Sequence, residues 1–135
     1  MTSSFDYAVV RVVPRVERGE FINAGVILFC RELRFLEARV MLDEERLGFF
    51  APWVDTAEVQ GHLAVIPLVT SGSPEAGPIG RLDLAGRFHW LVAPRSTIIQ
   101  TSPVHSGLCT DPAIMLDRIF ETLVAIRMPL DQSLH

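Results

Sequence analysis

The fold this sequence predicts is an α+β domain: an antiparallel sheet of about four strands with three helices packed mainly on one face. Three observations lead there. Valine-rich runs of extended character fill the N-terminal third, their connections are short, and an apolar stripe at helical spacing follows Asp111. At 135 residues the chain has the size of one domain, and with 49% hydrophobic residues it can bury a core without staples. We read 1–135 as a single domain.

FDYAVVRVVP (5–14) is a strand that its proline ends, and RVERGE (15–20) is a polar connection. FINAGVILFC (21–30) is apolar on both faces, which predicts a central strand. RELR turns the chain into FLEARVML (35–42), where Leu36, Ala38, Val40 and Leu42 share one face and Glu37 and Arg39 the other. DTAE (55–58) is a capping box. Val59, Leu63 and Ile66 follow on one stripe, and Pro67 should close this helix. TSGSPEAGP (70–78) reads as a mobile surface loop. A second helix is expected over 79–92, with Leu82, Ala85, Phe88 and Val92 inward, then a fourth strand at STIIQT (96–101). Asp111 caps the last helix (111–126), with Pro112 in its first turn and Leu116, Ile119, Phe120 and Leu123 on its inner face.

Composition excludes several activities. All 12 basic residues are arginine, so a Walker A loop, a kinase lysine and Schiff-base chemistry are ruled out as self-contained functions. The net charge of −4 argues against nucleic acid. Charged residues and Asn23 interrupt the N-terminal apolar runs, so no membrane span is expected. Cys30 and Cys109 form no CxxC pair, and without a signal-peptide pattern they point to a reducing cytoplasm. Cys109 reads as a buried, inert thiol.

His62, His89, His105 and His135 show no metal-ligand spacing, so no metal or other cofactor is expected. His62 and His89 read as packed histidines, and His135 as a disordered terminus. No GxSxG elbow occurs, and Ser96, Ser102 and Ser106 attract notice only because His105 is near them in sequence. Anion binding has better support. Arg95 offers a carboxylate or phosphate fork, with Ser96 and Thr97 as hydroxyl donors. In RVERGEFINAG (15–25), Arg15, Glu20 and Asn23 are polar beside an apolar strand, and Gly25 marks a close approach of backbone or ligand. The competing reading is structural: Glu20 paired with Arg95 or Arg15, and Asn23 bonded to nearby backbone. If 94–107 folds back, Arg95 and His105 could meet Glu20 and Asn23 in one site.

The run Arg15, Gly19, Glu20, Asn23, Gly25, followed by Pro94-Arg95-Ser96 and then His105, Gly107 and Asp111, resembles the bacterial "domain of unknown function 3037" family across about 5–124. That resemblance implies no assigned activity. It implies a partner role beside a HipA-like kinase-fold protein. A non-catalytic accessory module is therefore the first expectation. An enzyme or small-anion binder built on Arg15, Glu20, Asn23, Arg95, Ser96 and His105 is the alternative, and a structural homo-oligomer the third.

Overall fold

The structure is a computed structural model that describes residues 1–125. Five strands form one antiparallel sheet: β1 (Ser3–Val12), β2 (Ile22–Cys30), β3 (Phe35–Val40), β4 (Ile99–Thr101) and β5 (His105–Cys109). Their order is β3-β2-β1-β4, and β5 also pairs with β1, along the half that β4 leaves open. β2 is central, as its two apolar faces require. Four α-helices are described, α1 (Glu44–Phe50), α2 (Thr56–Ser71), α3 (Leu84–Val92) and α4 (Pro112–Leu123), with 3₁₀ helices at Val16–Arg18 and Pro74–Arg81.

Three of the four α-helices described pack on one face of the sheet, as expected, and α4 alone covers the other. Ile22, Ala24, Ile27 and Phe29 of β2 face a core shared with Leu47, Leu63, Val69 and Phe88 of the first three helices. Val26, Leu28 and Cys30 face the opposite way, onto Leu116 and Phe120 of α4. A strand apolar on both faces needs cover on both, and α4 supplies it for the second. Asp111 accepts from the N–H groups of Ala113 and Ile114, so α4 starts where its cap and proline place it. Ile126, the last residue expected in it, lies outside the described residues.

The expected fourth strand is two strands. Thr101 stands opposite Val10 and His105 opposite Tyr7, so residues 102–104 face only Ala8 and Val9. Pro103 has no N–H to give a ladder, and the extra residue bulges out. Ser102 repairs the gap: its N–H donates to the Val9 carbonyl at 2.8 Å, and its hydroxyl accepts the Val9 N–H at 2.9 Å. The segment after Thr101 thus continues along β1 and does not fold back.

Three helical expectations also change. α2 passes through Pro67, which removes one helical bond while Val69 and Thr70 beyond it are buried. Gly72, left-handed at φ 68, closes the helix instead. The segment read as a mobile loop is a packed 3₁₀ turn. A Cβ on its Gly80 would sit 2.7 Å from the Ser73 carbonyl, so it lies tight against the end of α2. Because that turn consumes 79–81, α3 begins only after its Asp83 cap, leaving Leu82 exposed and Phe88 and Leu91 inward. α1, capped by Asp43, had no counterpart in the sequence reading.

Candidate functional site

In the first polar stretch, Gly19 at φ 70 closes the 3₁₀ turn and turns the chain toward β2. Glu20 pairs with Arg18, which donates from Nε at 2.6 Å, and not with Arg15 or Arg95. The guanidinium holds the Glu20 carboxyl below its ordinary range, and the pair stands in water. Arg15 instead lays its guanidinium over the Trp53 ring, 4.7 Å from the centroid. Asn23 lies across from Arg11 in the β1–β2 ladder and donates from Nδ2 to the Leu123 carbonyl of α4 at 3.1 Å. That bond ties the end of α4 to the sheet. Asn23 Oδ1 and Arg11 Nε are buried without a partner among the described residues. The close approach at Gly25 is backbone: a Cβ there would lie 2.8 Å from the Arg39 carbonyl.

Beside this turn lies a surface that went unread in the sequence. Phe49 is 86% exposed, Trp53 57% and Phe21 43%. A hollow of about 350 Å³ runs between Phe21, Arg46, Phe49 and Phe50. Phe50 also lines the neighbouring cleft with Arg15, Arg18, Glu20 and Trp53, so the aromatics form one continuous patch. Arg11 stacks over Phe21 at 4.1 Å, giving the patch a second ring-bound arginine. The visible signal was LGFFAPW (47–53), an apolar run with three large aromatics. Its inward residues, Leu47 and Ala51, are few, so most of the run is left outside.

The second polar stretch meets the first across β1, where Gln100 and Asn23 stand on either side of Arg11. Arg95 reaches back to the C-terminus of α3, donating to the carbonyls of Trp90 at 2.6 Å, Leu91 at 3.0 Å and Ala93 at 3.4 Å. Its guanidinium also lies 4.5 Å from the Trp90 ring centroid. Ser96 is exposed beside it. His105, on β5, rests against Tyr7 at 5.3 Å between ring centroids. Ser106 donates to Asp6 at 2.6 Å, and Ser102 is buried in the strand repair, so neither serine is held by His105. No hydrogen bond or ion pair among the described residues joins Arg95, Ser96 or His105 to Glu20 or Asn23. Arg15 and Glu20 share one cleft, with Asn23 farther along β2.

His62 and His89 are exposed rather than packed. His62 sits at the edge of its helical stripe, with Nε2 3.8 Å from Glu58. His135 lies outside the described residues. Cys109 is buried beside Cys30 in the α4 core, and burial, then the neighbouring thiol, push its pKa up. No group of three or more His, Cys, Asp or Glu among the described residues could hold a metal ion. No described helix is long and apolar enough to cross a membrane.

The chain belongs to the family described as protein of unknown function (DUF3037), whose family model matches residues 7–124. No curated protein and no solved structure matches the chain.

Proposed function

We propose that this DUF3037 protein is a non-catalytic accessory module that binds a partner protein through the patch of Phe21, Phe49, Phe50 and Trp53. The observation that carries this reading is the exposure of Phe49, 86%, next to two further aromatics on which arginines are stacked. Leaving such rings in water gains a small domain nothing, and a contiguous apolar patch of this kind fits a docking surface. Trp, Phe and Arg are also the residues enriched where association energy concentrates. Phe21 and Trp53, each under a stacked guanidinium, lose little freedom on binding.

The family resemblance makes a HipA-like kinase-fold protein the partner to try first. Wild-type chain mixed with that purified protein should co-elute in size-exclusion chromatography. Phe49→Ser with Trp53→Ser should weaken the complex by about thirty-fold or more, as loss of a hot spot does, while circular dichroism stays native. Undiminished binding by the double variant would overturn the assignment of the patch. A wild-type homodimer that the double variant dissolves, with no heterocomplex, would make the patch a self-association surface instead.

A further inference from the structure

Sharing no lining residue with the patch, a groove opens between α2, α3 and β4, with a volume of about 190 Å³. Its walls are apolar, from Val65, Ile66, Trp90, Leu91 and Ile99, and its polar edge carries Arg95, Gln100 and Thr101. No carboxylate lines it; the second ionisable side chain there, His62, is also basic.

Arg95 is the informative member. Its three carbonyl bonds use three of the five guanidinium N–H donors. Two donors remain, and Arg95 Nε is not among the buried unpartnered atoms. The carbonyls fix the group in place, and stacking on Trp90 holds its plane, so little freedom is left to lose on binding an anion. The α3 C-terminus contributes roughly half a negative charge, which the full guanidinium charge exceeds. The groove therefore keeps a net positive edge above an apolar floor.

We propose that this groove binds a small carboxylic acid with an apolar body, its carboxylate on the free donors of Arg95 and its hydrocarbon between Val65, Ile66 and Ile99. The volume sets the size. At roughly 30 Å³ per water molecule it holds about six waters, which suits a short branched or monocyclic acid. Arg95 thereby acts twice, capping α3 and receiving the ligand. The groove shares no lining residue with the aromatic patch, so the variants that test one assignment leave the other's residues in place.

Phenylacetate is the probe, with benzyl alcohol as its uncharged counterpart. Titrated into the full chain, phenylacetate should give saturable amide and indole shifts at Trp90, Gln100 and Thr101, with a Kd near or below about 1 mM. Benzyl alcohol should bind about ten-fold more weakly or worse. Arg95→Gln should lose about ten-fold in affinity; because it also removes a helix cap, Val65→Trp serves as the second variant. Val65 is partly exposed, so the larger ring fills the groove from outside and should abolish the shifts with the fold intact. Equal binding of acid and alcohol, unchanged affinity in a folded Arg95→Gln, or shifts that survive Val65→Trp would each overturn the proposal. So would the absence of saturation by about 10 mM phenylacetate.

Discussion

The two polar stretches, 15–25 and 94–107, use the same device to different ends. Each sets an arginine on a tryptophan: Arg15 over Trp53 at 4.7 Å and Arg95 over Trp90 at 4.5 Å. Arg95 is also tied to three carbonyls at the end of α3, whereas the Arg15 side chain makes no hydrogen bond among the described residues. The serines and glutamate contrast in the same way. Ser102 is built into the sheet, and Glu20 holds only an exposed neighbour. Arg95 and Ser102 of the second stretch thus carry structural bonds that Arg15 and Glu20 of the first lack, and Arg95 keeps two donors besides. Residue type does not separate the two cases; the elements that end beside each residue do.

Substitutions test that contrast. The largest effect is expected from Phe120→Ala, since Phe120 is 3% exposed at the centre of the α4 core. Its loss should cost about 3–5 kcal/mol in denaturant unfolding and free the α4 end that Asn23 holds. A cost below about 1 kcal/mol would mean that α4 is not what anchors the first stretch. Ser102→Ala comes next. It strands the Val9 N–H inside the β1–β4 junction, and an orphaned buried donor costs about 1–3 kcal/mol. Hydrogen exchange at Val9 should accelerate in step. If stability and exchange are both unchanged, the second stretch is no more structural than the first.

Glu20→Gln should move the unfolding midpoint least. Both partners of the Glu20–Arg18 pair are exposed and screened by solvent. The sign is still defined. The Glu20 carboxyl is depressed by Arg18, so any stability it gives is present above the unfolded-chain carboxylate value and fades as pH falls through the folded one. Midpoints for wild type and variant should therefore coincide near neutral pH within error. A clear loss at neutral pH that vanishes in acid would place Glu20 among the structural residues and erase the contrast.

Much of this was legible in the linear chain. Period-two runs and short connections set β1, β2 and β3, and the apolar run at 21–30 marked the central strand, because burial on both faces leaves little room for polar residues. Asp55 and Asp111 announced α2 and α4, since an N-cap acts within its own first turn. The family was legible too, because motif spacing is itself a property of the sequence. Tertiary structure decided the rest. Local pattern cannot choose a face, so it did not send α4 opposite to α2 and α3. Nor could it show that Pro67 is outweighed by the burial beyond it, or that β1 has room for β5 past Pro103. The same limit governed the polar residues. Arg95 meets the end of α3 and Arg15 meets Trp53 because of where chain segments come to rest. A side chain long enough to reach several partners takes the one that packing brings within range.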